Sequence, residues 1–191
     1  INLSMKVFRI IAKMDIKDDY LVNSRMLEGL RVIGNPKEFM DKYYKFGVDE
    51  FILHDVTASY IGRNTLYGKL KKITDEIFLP ITLGGGVKNL DDIKQILNCG
   101  ADKVFLNTGI LENPNFAKKA INVYGSSTIS ANVVITKSND KYYILKNHGR
   151  DNQNNLEPID WIKFLDDIGI GEIILTFAHK DGTKEGFDLR F

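Results

Sequence analysis

The sequence predicts an α/β fold, a (β/α)8 TIM-type barrel of which this chain holds about six of the eight βα units. Three observations lead there. Strand-sized apolar runs alternate with helix-sized amphipathic stretches and no run of hairpins intervenes, the order that gives parallel strands covered by helices. A short pattern also recurs at intervals of one or two βα units: Phe46-Gly47-Val48-Asp49-Glu50-Phe51-Ile52-Leu53, Cys99-Gly100-Ala101-Asp102-Lys103-Val104-Phe105-Leu106 and Ile168-Gly169-Ile170-Gly171-Glu172-Ile173-Ile174-Leu175. Each copy is a helix-ending glycine, a short link, a charged residue and a buried strand. Finally, the first strand ends in Asp15 and not in the glycines that a doubly wound sheet usually carries there.

Taken in order, residues 1–4 precede Met5 and are set aside as leader or cloning residues. Val7 to Met14 reads as the first strand, with Arg9 near its start and Asp15 at its end, and Lys17 to Ile33 as a long polar, irregular connection. Asn35-Pro36 opens a helix on which Phe39, Tyr43 and Phe46 share a face until Gly47. Glu50 to Leu53 is the next strand, running into His54-Asp55, and Thr65 to Ile77 the next helix, with Leu66, Leu70, Ile73 and Ile77 on one side. Pro80 resets the chain for the strand that ends in Gly84-Gly85-Gly86. Asn89 caps a helix that buries Ile93, Ile96 and Leu97 and stops at Gly100. The strand Val104 to Leu106 follows and ends in Asn107-Thr108. Asn113-Pro114 opens a helix that runs to Gly125, and Thr128 to Thr136 is a fifth strand. A small hairpin is expected around Tyr142 to Leu145. Glu157-Pro158 starts the last helix, bearing Trp161, Phe164, Leu165 and Ile168, and Glu172 to Thr176 is a sixth strand. A closed barrel takes eight strands and about 250 residues. The expectation is therefore a single barrel domain over residues 5–191 lacking its last two βα units.

Bulk properties narrow the function. The chain has 191 residues, 43% hydrophobic and 27% charged, and a net charge of +1, which gives no electrostatic support for nucleic acid or an acidic membrane as main partner. Apolar runs are strand-sized and no targeting start is visible, so a cytoplasmic protein is expected. The single Cys99 reads as a small core residue. Scattered histidines argue against a zinc site, and no metal is expected.

The chemistry should gather where the strands end. Glycines at 84–86 let backbone N–H groups approach an anion, and a helix start follows; the alternative is a flexible glycine turn. A second such end at Asn107-Thr108 favours the phosphate cradle. Asp15, Asp55, Thr176 and Asp181-Gly182-Thr183 fall at the same rim. Asp15 is the acid/base candidate, because burial at the end of an apolar strand raises a carboxyl pKa toward a useful range; the alternative is a loop carboxylate capping backbone. For Asp55 a capped turn over residues 55–59 is an equal alternative. At the opposite ends stand Arg9, Glu50, Lys103 and Glu172. Singly each reads as a solvated edge, and together they read as a ring of alternating sign that could serve as a gate.

These residues are similar to one family nearly letter for letter: Asp55-Val56-Thr57-Ala58-Ser59, Gly62-Arg63, Leu83-Gly84-Gly85-Gly86, Gly100-Ala101-Asp102-Lys103, Asn107-Thr108, Glu112-Asn113-Pro114 and Asp181-Gly182-Thr183-Lys184-Glu185-Gly186. From Met5 onward the chain resembles the cyclase subunit of imidazole glycerol phosphate synthase, a histidine-biosynthesis barrel. The resemblance implies a lyase-type synthase with no cofactor, in a heterodimer with a glutaminase subunit docked on the barrel bottom. Ammonia from that partner would pass through the barrel to a bis-phosphorylated ribulosyl substrate. It also implies Asp15 as catalytic acid/base and Gly86, Asn107 and Thr108 at one phosphate, with Gly85 beside them as a candidate of the glycine turn. Gly182 matches part of the second phosphate site, the rest of which is expected beyond Phe191; Asp181, Asp55 and Thr176 remain phosphate- or substrate-binding candidates of the rim, and Arg9, Glu50, Lys103 and Glu172 match the ammonia gate.

Three departures stand out. Val134 occupies the place of the family's second catalytic aspartate, with no Asp or Glu between Glu112 and Asp140; Asn23 replaces a loop lysine; Ala12-Lys13 replaces a Pro-Cys pair. They keep two alternatives open: a paralogue supplying ammonia to amidinate a bacterial surface sugar, and a non-catalytic glutaminase-binding fragment.

Overall fold

The computed structural model describes residues 8–58, 68–74, 76–147, 149, 151–153 and 155–191. Val7, the Thr65-Leu66 start of the expected second helix, and Ser59 and Gly62-Arg63 of the family motif lie outside the described residues. In chain order the strands are β1 (Ile11–Lys17), β2 (Tyr20–Arg25), β3 (Glu28–Gly34), β4 (Glu50–Asp55), β5 (Ile81–Gly84), β6 (Lys103–Leu106), β7 (Ile129–Ser138), β8 (Lys141–Lys146), β9 (Asp151–Gln153) and β10 (Glu172–Phe177). The helices are α1 (Pro36–Lys45), α2 (Leu70–Thr74), α3 (Leu90–Asn98), α4 (Thr108–Glu112), α5 (Pro114–Tyr124) and α6 (Pro158–Asp167).

Strands β1, β4, β5, β6, β7 and β10 run parallel and pair in that order. The α/β expectation with six parallel strands is met. No backbone ladder joins β10 to β1 among the described residues. Side chains and loops bring the two ends of the sheet together instead. Arg9, just before β1, bonds Glu172 of β10 at 2.6 Å. At the other end the Met26 N–H donates to the Asp181 carbonyl at 2.8 Å, and the Ser24 hydroxyl to the Asp181 carboxylate at 2.8 Å.

Two expectations need correction. The first strand is Ile11–Lys17, not Val7 to Met14, so Asp15 lies inside it, opposite His54 on one side and Val22 on the other. It runs on because the stretch from Lys17 to Ile33 is not irregular: β2 and β3 form an antiparallel hairpin that pairs with β1 over Asp15–Lys17. Most of that hairpin faces solvent, which allows polar side chains on both faces and erases the period-two signal. The short α4 was also not anticipated, being too brief to show a helical period. The second hairpin does follow β7, with β8 pairing Val134↔Leu145 through Ser138↔Lys141.

The caps explain the helix starts. Asn35 accepts from the Lys37 N–H at 2.9 Å, with Pro36 at the first helical position. Asn89 and Asp92 form a reciprocal capping box. The sequence repeat also has a physical meaning here. Gly47, Gly100 and Gly169 take φ of +82°, +102° and +82°, turning the chain out of each helix. The aspartate that follows in two copies then clamps the start of the neighbouring strand. Asp49 donates its N–H to the Ile10 carbonyl and accepts from the Ile10 N–H, and Asp102 does the same with Ile81. The next residue, Glu50, Lys103 or Glu172, opens the strand.

Alternate strand residues then face opposite ways. Met14, Ile16, Phe51, Leu53, Leu83, Val104, Leu106 and Val133 pack against Met40, Ile93, Ile96, Ala117 and Trp161 of the helices in one core, and Cys99 lies partly buried against it. The other set, including Lys13, Asp15, His54, Thr82, Asn132 and Thr176, faces the interior of the curled sheet. Among the described residues no helix is long and apolar enough to cross a membrane.

Candidate active site

The interior is polar at both ends. At the strand starts Arg9, Glu50, Lys103 and Glu172 form a closed ring. Arg9 bonds Glu50 at 3.0 Å and Glu172 at 2.6 Å, while Lys103 bonds both oxygens of Glu50 at 3.2 Å and Glu172 at 3.0 Å. Glu50 is 1% exposed and also accepts from the Thr82 hydroxyl at 2.8 Å. Two cations and two anions leave the ring neutral, which is how four charges can sit at a barrel axis. Burial pushes the Glu172 carboxyl up, but the bonds from Arg9 and Lys103 outweigh it and hold the group below its ordinary value. Glu172 also raises the Arg9 guanidinium.

A depressed carboxyl contributes stability above its unfolded pKa and loses it as pH falls. Glu172→Gln is therefore expected to melt lower than wild type at neutral pH and to converge with it below about pH 4. Melting curves separated equally at every pH would contradict a charged ring.

At the strand ends three clefts meet. Gly85, Gly86, Asn107, Thr108, Asp55 and Thr176 line one of them. Asp181 and Gly182 line the other two, and Asp15 joins them in the third. The residues singled out in the sequence are thus gathered at one rim. Lys13 borders all three clefts.

The glycines at 84–86 form a packed turn, not a loose one. Gly85 has φ +118°, and a Cβ on it would stand 2.4 Å from the Asp55 carbonyl oxygen. Only glycine lets the end of β5 lie this close to the end of β4. At the end of β6 the Asn107 side-chain oxygen is buried with no hydrogen-bond partner among the described residues. A buried acceptor oxygen left open costs about 1–3 kcal/mol, so its partner has to be a donor. Thr108 accepts from the Asn147 N–H at 3.0 Å, which ties the second hairpin to this rim and leaves the hydroxyl hydrogen to donate. Deeper in, the Thr176 hydroxyl donates to Asn132 at 3.0 Å, so Asn132 is satisfied within the barrel.

Asp55 holds its own turn. One carboxylate oxygen accepts from the Thr57 N–H, the Thr57 hydroxyl and the Ala58 N–H, each at 3.0 Å. That is the capped turn foreseen as its alternative, formed on the cleft wall.

Asp15 behaves differently from the sequence expectation. Burial does raise its carboxyl, but the Lys13 ammonium at 2.6 Å and His54 Nδ1 at 3.1 Å outweigh burial and hold it far below the usual carboxylate range. The group is therefore ionised at neutral pH and not poised to give a proton. The sequence carried the signal that was missed: Lys13 and Asp15 are two residues apart, which on a strand means the same face. His54 was visible at its strand end but not as the partner of Asp15.

Comparison with known proteins follows the same lines. Residues 9–191 match the family described as Histidine biosynthesis protein. The chain is 39% identical over 186 residues to the imidazole glycerol phosphate synthase subunit HisF of Legionella pneumophila, covering 97% of this chain and 87% of that protein. It is 38% identical over 183 residues to the subunit of the same name from Petrotoga mobilis, covering 95% and 72%. With that of Thermococcus onnurineus it shares 40% over 184 residues, covering 95% and 71%. Identity of this order along nearly the whole chain, on a mostly parallel α/β sheet, means that the chain belongs to the histidine-biosynthesis family and, within it, to the HisF cyclase subunits of imidazole glycerol phosphate synthase.

Proposed function

We infer that the chain, as one barrel domain over residues 5–191, is the ammonia-using cyclase of a two-subunit imidazole glycerol phosphate synthase in the cytoplasm. The observation that carries this reading is the neutral ring of Arg9, Glu50, Lys103 and Glu172 lying across the barrel axis below a cleft that holds Asp15. A ring of paired charges excludes ions and bulk water from the interior, and a small neutral molecule such as ammonia passes where side chains part. Around the ring the same end of the barrel exposes Phe8, Ile10, Phe46 and Phe78, three of them aromatic and each more than half exposed. Such an apolar rim about a charged centre supports a docked partner, the glutaminase subunit.

At the other end Gly85, Gly86, Asn107 and Thr108 bind one phosphate of a ribulosyl bis-phosphate, and Gly182 with Asp181 the other. Asp55 and Thr176 form the wall between them. Asp15 takes protons from the attacking nitrogen as the ring closes. Free ammonium salts, without the partner, are expected to support turnover of this substrate by the full-length protein. A folded protein that turns over none of it would contradict the reading.

Val134 favours a second reading. It is buried among Leu145, Ala178 and Leu27 where the family carries its second carboxylate, so the acid/base pair differs. A paralogue that delivers ammonia for amidination of a surface sugar fits that change, and predicts glutaminase stimulation with no imidazole product.

A further inference from the structure

Asp15 does not stand alone at the mouth of the barrel. Lys13, on the same face of β1, places its ammonium nitrogen 2.6 Å from the Asp15 carboxylate and borders all three clefts. The other ionisable groups around these clefts are His54 and Asp55 on β4, Lys88 after β5, and Lys180, Asp181 and Lys184 after β10. Tyr43 of α1 borders the third cleft as well. Asp55 is engaged by the N–H groups of its own turn, and Asp181 by Ser24. On the opposite wall β7 presents Val134, which has no proton to move. Asp15, held ionised beside the Lys13 ammonium, has none to give either.

We propose that Lys13 is the proton donor of this active site, working with Asp15 as proton acceptor. The proposal rests on the ammonia-using reading above. Ammonia adding to a ketose carbonyl forms a C–N bond and turns the C=O into a hydroxyl. Loss of that hydroxyl as water then gives the imine, so that one ketone and one ammonia become one ketimine and one water. Two protons leave nitrogen and two reach oxygen. In each half, the Asp15 carboxylate takes one proton from nitrogen and the Lys13 ammonium gives one to oxygen. The resulting carboxylic acid and amine then exchange a proton across their short contact, restoring both charges for the next half. No other co-reactant is needed. His54, on the same Asp15 oxygen at 3.1 Å and edge-on to Phe105, is a positioning residue that fixes the carboxylate.

The test is steady-state turnover with ammonium salts by the full-length protein, comparing wild type with Lys13→Met and Lys13→Arg. Methionine keeps the apolar stem without a proton to give; arginine keeps the charge but does not deprotonate. Both are expected to lower kcat by about 100-fold or more. KM for the substrate should stay within about threefold. The alkaline side of the wild-type kcat profile should be lost in both variants. In Lys13→Met the acid limb should also move up, because Asp15 has lost its cation. Near-normal kcat in Lys13→Arg would show that charge alone suffices and would overturn the donor. So would a loss confined to KM, which makes Lys13 an anion contact. Active variants beside an active wild type sink the donor alone, whereas an inactive wild type sinks the reaction and the donor together.

Discussion

Asp15→Asn is expected to lower ammonia-dependent turnover by about 10²- to 10⁴-fold while the protein stays folded. The carboxylate lines the third cleft beside Lys13, which borders all three, and asparagine keeps its shape without accepting a proton. Folding should survive because Lys13 is 27% exposed and can turn its ammonium to water when its partner is neutral. The stability effect has a definite sign. Lys13 and His54 hold Asp15 below the ordinary carboxylate pKa, so its contribution is complete above about pH 4 and disappears as pH falls. The variant should therefore melt below wild type at neutral pH and approach it in acid. Single-turnover kinetics beside thermal melts separate the two effects. Full activity in a folded Asp15→Asn protein would remove the residue from the chemistry.

Glu50→Gln has the largest expected effect on stability, a loss of about 3–5 kcal/mol. Glu50 is the buried hub of the ring, taking bonds from Arg9, Lys103 and Thr82. Glutamine fills the same space and can still accept from Thr82, but it leaves the ring with two cations and one anion. Lys103, 17% exposed, cannot escape to solvent as readily as a surface lysine. With the ring unbalanced, glutamine-driven turnover in the complex should fall relative to ammonium-driven turnover by the same protein. Urea denaturation and the ratio of the two rates measure both parts. A loss below about 1 kcal/mol with an unchanged ratio would put these contacts among ordinary surface ion pairs.

Both substitutions fall on residues whose type was legible in the sequence, and their settings were legible to different degrees. The six parallel strands, the Asn-Pro helix starts and the repeat that sets Glu50, Lys103 and Glu172 at strand starts are local signals, written in caps, glycines and apolar runs. The ring follows from them once the sheet curls and brings the starts of β1, β4, β6 and β10 together at one end. Hidden from the sequence were features that depend on what a strand pairs with. The β2–β3 hairpin is exposed, so its side chains are under no pressure to alternate. Its pairing then extends β1 past Asp15 and moves that residue from a strand end into the sheet. Burial of Asp15 was legible, and so was Lys13 two residues away on the same face; what only the fold shows is His54 on the neighbouring strand, which with Lys13 outweighs burial. Asp55 shows the converse: its spacing to Thr57 and Ala58 already contained the turn it holds.

The most direct test of the account is where the nitrogen of the product comes from. The complex would be given glutamine with heavy nitrogen in its side-chain amide, and unlabelled ammonium would be kept in excess in solution. The account predicts that the wild-type product carries the heavy nitrogen and that Glu50→Gln dilutes it. Wild-type product drawing its nitrogen from the unlabelled ammonium would contradict delivery through the ring.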